Sequence, residues 1–396
     1  MKKIKLFLVI GLVLSVFVLI IGCSPTTATE TTQAAETTAT ETTQAAETTA
    51  TETTQAAETE TTDEWVSTGP NGEPAVSFKD ANLVLTDEEK ETIKKENYGA
   101  TFMWFSGHVF FDAIESGAKS VFEDLNIDVV GSVDTGVDVA KVKDNIETLL
   151  ALNPKILMAL ALDPVSASEA FRSAVDAGLQ LSFLSNVPNG YKLGEDYAGV
   201  VGDDNVGMGL ACAEMMSEAL GGKGKIGFLY GDMGMWVTEQ RDGSFKKAIQ
   251  EKYPEIEIVA EAGIADYSKA NEIIAGMLVT NPEIEGLYVV TDNAMGGVLA
   301  ALREANRQDV KVITIDIGLE SAIDMAKGQN VYGIVADYPY QIGEAMAMCS
   351  VYGILEKETP AFVTVDYFKI TKDNLLDGWK KSLMSEPPNE LKSLFE

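Results

Sequence analysis

From Ala100 onward the chain alternates short, β-branched apolar runs with helix-length amphipathic segments, and this alternation constrains the fold more than any other feature. Strand-like runs occupy residues 100–105, 128–132, 156–161, 180–184, 198–201, 225–229, 257–262, 286–290, 311–315 and 331–336. Helix-length segments lie between most of them, at 110–124, 137–150, 166–177, 206–220, 236–252, 268–281, 294–305 and 319–327. Runs that are apolar throughout, rather than on alternate residues, belong to parallel sheets covered by helices on both faces. The predicted class is therefore α/β, with two doubly wound parallel-sheet lobes. The count exceeds one small dinucleotide-binding unit, and a closed eightfold barrel accommodates it only approximately.

In open α/β sheets ligands gather beyond the carboxyl ends of the strands. The residues at those ends are Ser106 through Phe111, Ser185-Asn186, Gly202 through Asn205, Gly231-Asp232 with Trp236 and Arg241, Asp266-Tyr267, Thr291-Asp292-Asn293, Asp316, and Tyr338 through Gln341. Aromatics, amides, carboxylates and one arginine recur, which suits a neutral polyhydroxylated ligand: rings pack on C–H faces while forked polar groups bridge adjacent hydroxyls. The candidate ligand-binding residues are His108, Phe110, Phe111, Asn186, Trp236, Arg241, Tyr267, Thr291, Asp292, Asp316 and Gln341.

Catalytic and metal chemistry find little support. No Ser-His-acid or Cys-His arrangement appears, and His108 is the only histidine, which excludes a histidine-based zinc site. Neither a metal nor a cofactor is predicted, and the chain reads as a non-enzyme. The loop from Gly231 to Gly234 lacks the lysine of a phosphate-binding loop, so Trp236 reads as a stacking residue. Asp203-Asp204-Asn205 reads as a turn and helix N-cap. Asp316 follows an apolar strand and needs a partner, such as Arg241 or a ligand hydroxyl. Cys212 and Cys349 fall on apolar helix faces and read as buried free thiols.

The first 22 residues have the layout of an export signal: Lys2, Lys3 and Lys5, then an apolar run over 6–21. Ile20-Ile21-Gly22-Cys23 resembles a bacterial lipobox, in which cleavage precedes the cysteine and its sulfur carries lipid; a plain spanning anchor is the competing reading. Residues 23–64 follow as a tether in which TTATETTQAAE occurs three times between Thr26 and Glu58. That unit has no large apolar residue to offset the entropy of ordering, and as a coil it spans about 35 Å. Residues 65–96 form an N-terminal extension in which Thr86-Asp87-Glu88-Glu89 is a capping box opening a short charged helix. A net charge of −31 argues against a nucleic-acid partner.

Several of these segments together resemble the ribose- and galactose-type periplasmic binding proteins, whose fold is shared with LacI-type regulators. The resemblance runs from Ala100 to about Thr371. It rests on Phe110-Phe111, Gly202 through Gly209, Arg241 through Phe245, Asp266-Tyr267, Thr291 through Gly297, Ile313 through Asp316, and Gln341-Ile342-Gly343. The resemblance implies aromatic walls from Phe110, Phe111 and Tyr267, charge-assisted bonds from Arg241 and Asp316, and a hinge-side contact from Gln341. Thr291 stands where the ribose binders carry asparagine, with Asp292 following as in the family. Ser185-Asn186 replaces an Asp-Arg pair and His108 replaces an asparagine, which argues for a sugar or polyol other than D-ribose.

The implied layout is 97–203 plus 342–365 for one lobe and 204–341 plus 366–396 for the other, with hinge crossovers near Asp203, Gln341 and Val365. The expected function is the substrate-binding lipoprotein of an ABC importer, closing on a small sugar or polyol and delivering it to permease subunits. Such a protein would be a monomer held at the cell envelope by a lipid anchor. A nucleoside or autoinducer-2 receptor on the same fold is the alternative. A hydrolase lacks an activated nucleophile here, and a LacI-type regulator would need an N-terminal helix-turn-helix.

Overall fold

The computed structural model describes residues 65–134 and 141–396. The export signal, Cys23, the tether and the beginning of the predicted 137–150 helix lie outside the described residues.

Two sheets organise the described chain. The first contains β1 (Ala75–Ser77), β2 (Gly99–Trp104), β3 (Asp128–Asp134), β4 (Ile156–Ala159), β5 (Gln180–Leu184), β6 (Gly199–Asp203) and β12 (Phe362–Val365), in the order β1-β12-β6-β5-β4-β2-β3. The second contains β7 (Gly224–Gly231), β8 (Ile256–Ile264), β9 (Gly286–Val289), β10 (Lys311–Ile315), β11 (Val331–Asp337) and β13 (Tyr367–Ile370), in the order β13-β11-β10-β9-β7-β8. Every strand pairing within these sheets is parallel except β11 with β13. The central strands are buried along their whole length, as in β4 and β6, because helices cover both faces.

The backbone passes between the sheets at 203–205, 337–339 and 365–367. The middle crossing comes a turn before Gln341, because Pro339 already opens the helix Pro339–Ile354. A proline at the first helical position lacks only an amide hydrogen that would have no partner there, so it fixes the start. This helix packs on the first lobe through Ile342, Ala345 and Met346. Its glycine permits the contact: a Cβ on Gly343 would lie 1.9 Å from the Ile114 carbonyl oxygen, and one on Gly117 would lie 1.9 Å from that of Tyr340.

Three short strands escape the sequence pattern: β1, β12 and β13 are only three or four residues long. The predicted capping box is present, with Thr86 Oγ1 accepting from the Glu89 amide at 3.2 Å and Glu89 accepting from the Thr86 amide at 2.7 Å. Cys212 and Cys349 are free, buried thiols on helices of different lobes. Among the described residues no helix is long and apolar enough to cross a membrane.

Candidate functional site

Strand ends of both sheets meet where the two lobes touch. From the first lobe, β2 runs into a short loop and the helix Val109–Asp124, with His108 as its N-cap. The His108 Nδ1 accepts from the Phe110 amide at 3.3 Å, which leaves the ring proton on Nε2. That nitrogen lies 3.0 Å from Asn293 Oδ1, on the loop after β9 in the second lobe. The lobes therefore touch directly across the cleft.

The two phenylalanines divide their work. Phe111 is buried, packing on Trp104, Phe105 and Phe110 at centroid distances of 6.1, 5.4 and 5.2 Å. Phe110 is only half-buried and stands edge-on to His108 at 6.5 Å. Phe110 is thus the aromatic surface next to the cleft, while Phe111 belongs to the lobe core. Asn186 is buried after Ser185, which takes a left-handed φ of 59°.

From the second lobe, the helix Trp236–Lys252 brings in Arg241. Its close seat on the helix Asn205–Leu220 depends on Gly209, where a Cβ would lie 2.2 Å from the Arg241 carbonyl oxygen. Arg241 is buried and its Nε has no hydrogen-bond partner. Burial works against its charge, but Asp316, Tyr288 and Asp242 more than offset this, so its pKa is raised. Asp242 itself is committed to structure: it accepts from the Gly231 amide at 2.7 Å and the Tyr288 hydroxyl at 2.6 Å. Thr291 Oγ1 donates to Asp316 Oδ2 at 3.1 Å, joining the β9 and β10 ends. Asp316 has a φ of 67°, a strained left-handed conformation for a non-glycine residue. Tyr267 is half-buried within electrostatic range of Arg241, Asp316 and Asp292. Trp236 meets Phe362 of the other lobe edge-on at 5.6 Å, so it is an interlobe packing residue.

At the middle crossing the structure adds a residue beside Gln341. The residue at the carboxyl end of β11 is Asp337, whereas Gln341 is the third residue of the following helix and half-buried. Asp337 reaches Asp203, the last residue of β6, within hydrogen-bonding range, and both are buried. Two carboxyl groups meeting away from water cannot both ionise, so they share a proton. Burial first, then Asp316, pushes Asp203 up to about 7, with Arg241 opposing; burial and then Asp203 raise Asp337 well above the usual range. Asp203 Oδ1 and Asp337 Oδ2 have no partner. Asp292 is likewise pushed up to about 7, by burial and then Asp316, with His108 opposing. Asp203 and Asp337 were missed as site residues because one reads as a turn and the other as the tail of an apolar strand.

Among the described residues no group of three or more His, Cys, Asp or Glu side chains is arranged to hold a metal ion. The candidate site gathers one guanidinium, four aspartates (Asp203, Asp292, Asp316 and Asp337), the His108 imidazole and aromatic edges.

A family profile described as a periplasmic binding protein domain matches residues 100–359, which is most of the chain. The chain belongs to the periplasmic binding protein family. Among curated relatives of this binding protein, a xylitol-binding protein of Mycolicibacterium smegmatis is 31% identical over 186 residues. That match takes in 46% of this chain and 52% of the relative, so the chain spans about half the length of the relative. A ribose import binding protein of Salmonella typhimurium is 23% identical over 234 residues, 59% of this chain and 77% of that one. The two-lobed fold is shared with the arabinose-binding protein AraP of Geobacillus stearothermophilus, at a TM-score of 0.64 and 20% identity, covering 70% of this binding protein and 98% of AraP. A solute-binding protein from Agrobacterium vitis solved with α-D-tagatopyranose has a TM-score of 0.64 at 19% identity, covering 74% and 100% of the two chains.

Proposed function

We propose that this chain is the substrate-binding protein of an ABC importer, that it closes on a neutral sugar or polyol, and that the closed form is what the permease recognises. The observation that carries the proposal is the meeting of the buried Arg241 guanidinium with Asp203, Asp316 and Asp337 where the lobes touch; Arg241 Nε, Asp203 Oδ1 and Asp337 Oδ2 are among the buried polar atoms without a partner. Each such atom costs about 1–3 kcal/mol while unmade. Hydroxyl groups both donate and accept, so a polyhydroxylated ligand satisfies all three. An anionic ligand would add charge beside Asp203, Asp292, Asp316 and Asp337 and is disfavoured. Phe110 and Tyr267 supply ring surface for C–H faces, and His108, Thr291, Asn186 and Asp292 supply the remaining polar edges. Relatives named for xylitol and ribose support the same ligand class.

The proposal includes a lipid anchor at Cys23, a place at the cell envelope, a monomeric state and no catalytic turnover. Calorimetric titration of the full chain with D-ribose, D-allose, D-arabinose, xylitol and adenosine tests the ligand class. One neutral sugar or polyol should bind with a Kd on the order of micromolar, about −8 kcal/mol, and Arg241→Ala should weaken it at least about 100-fold. Silence from every sugar and polyol, or binding of adenosine alone, would overturn the assignment. Incorporation of a labelled fatty acid that disappears in Cys23→Ala tests the anchor.

A further inference from the structure

The N-terminal extension touches both lobes beside the hinge. On the second lobe, the Trp65 ring lies under Lys247 and Lys252 of the helix Trp236–Lys252, at 4.4 and 4.8 Å. Ser67 is buried; its hydroxyl donates to Asp204 Oδ1 at 2.5 Å and accepts from the Val206 amide at 3.1 Å. Asp204 is the N-cap of the helix Asn205–Leu220, so Ser67 grips the first hinge crossing itself. The Thr68 hydroxyl accepts from Gln240 Nε2 at 2.9 Å, one residue before Arg241. Three residues thus hold two helices of the second lobe.

Immediately afterwards the chain is fastened to the first lobe. Gly69 packs so tightly on Phe362 that a Cβ would lie 3.0 Å from it. Phe362 is the same ring that Trp236 meets from across the cleft. Residues 75–77 then pair in parallel with β12. Beyond them, Leu83 and Ile93 enter the core of the first lobe, the Tyr352 hydroxyl donates to the Val84 carbonyl at 2.8 Å, and Lys357 pairs with Glu89 at 2.8 Å. Only about six residues separate the last hold on one lobe from the first strand on the other. A short, anchored span cannot follow a lobe rotation of the size that hinge closure involves without giving up one set of contacts.

We infer that residues 65–69 are a clasp, a fourth connection across the hinge that favours the closed arrangement of the lobes and must let go of the second lobe when the cleft opens. The weaker set is the one on the second lobe: three hydrogen bonds through two side-chain hydroxyls and two ring–ammonium contacts on Trp65, against a strand pairing, two core residues, a tyrosine hydrogen bond and an ion pair on the first. The clasp therefore releases at Trp65, Ser67 and Thr68, while 75–94 stay with the first lobe. Because Gln240 and Arg241 are neighbours on one helix, seating of the clasp and seating of the cleft arginine are mechanically linked. Opening is thereby resisted from outside the binding site, by residues that touch no ligand.

The test uses the ligand-free full chain, so that it stands apart from the ligand assignment. Small-angle scattering and hydrogen–deuterium exchange are compared for the parent, for Trp65→Ala with Ser67→Ala, and for Lys90→Ala, which disturbs only the extension's exposed pairing with Asp124 on the first lobe. The clasp variant should scatter as a more open particle, and amide exchange at Val206 should rise at least about tenfold, as expected for losing two ring–ammonium contacts and two hydroxyl hydrogen bonds. Lys90→Ala should match the parent in both. For any sugar of the panel that binds, the clasp variant should show a Kd weaker by about tenfold, carried by faster dissociation. Identical scattering and exchange in the parent and the clasp variant would overturn the inference. So would an equal opening in Lys90→Ala, which would make the effect general loosening of the extension.

Discussion

Replacing Asp203 by asparagine isolates the buried acid pair at the hinge. In the folded chain Asp203 holds its proton up to about pH 7, chiefly because it is buried and then because Asp316 faces it. In the unfolded chain an aspartate releases its proton near 3.9. Between those values the folded state binds more protons than the unfolded one, so this group's contribution to stability falls as pH rises from about 4 to about 7 and is level above. About three pKa units at about 1.4 kcal/mol each set a ceiling near 4 kcal/mol. Because the proton is shared with Asp337, the effect is on the order of 2–4 kcal/mol. The substituted asparagine cannot ionise, and its amide can donate to Asp337. Urea unfolding of the ligand-free protein at pH 4.0, 5.5 and 7.5 should therefore show Asp203→Asn gaining on the parent by that amount between the ends of the series. Parallel pH profiles would refute the shared-proton reading and with it the case for Asp337 as the hinge-side ligand contact.

Three further outcomes follow from the geometry. Phe111→Ala should destabilise the chain by about 3–5 kcal/mol in urea unfolding, since it empties core volume; Phe110→Ala should cost much less stability yet weaken ligand affinity measured by calorimetry. Tyr288→Phe should lower stability by about 1–3 kcal/mol, because it strips the buried Asp242 of its 2.6 Å hydroxyl partner, and equal melting temperatures would contradict that. Cys212 and Cys349 should resist a disulfide-exchange thiol reagent in the folded chain and react once urea is present; burial pushes the Cys349 thiol up to about 12 and removes its access.

Much of both lobes was legible because many of their strands are apolar runs with distinct ends. The predicted spans at 180–184 and 311–315 coincide with β5 and β10, and the predicted helix at 236–252 coincides with the observed Trp236–Lys252. Other boundaries moved by a few residues where side chains captured backbone groups. Asp266 and Thr291 accept from the amides of Ser268 and Asn293, so short 3-10 turns precede the helices predicted at 268–281 and 294–305. The strands β1, β12 and β13 were not read from the sequence; β1 and β13 lie at sheet edges, and all three take their conformation from the neighbour they pair with.

The sequence by itself determined the α/β class and the strand ends at which candidate site residues are sought, with Arg241, Asp316, Thr291 and Phe110 among the candidates. These are consequences of local periodicity and of where apolar runs stop, and both are written in neighbouring residues. Only the tertiary structure decided that Asp203 and Asp337, 134 positions apart in the numbering, meet as a buried pair at the hinge. It alone turned Phe111 inward, placed Trp236 between the lobes, and laid residues 65–69 across the first crossing. Each of those outcomes depends on which strands become neighbours, and strand adjacency is fixed by the burial of whole sheet faces rather than by any local run of side chains.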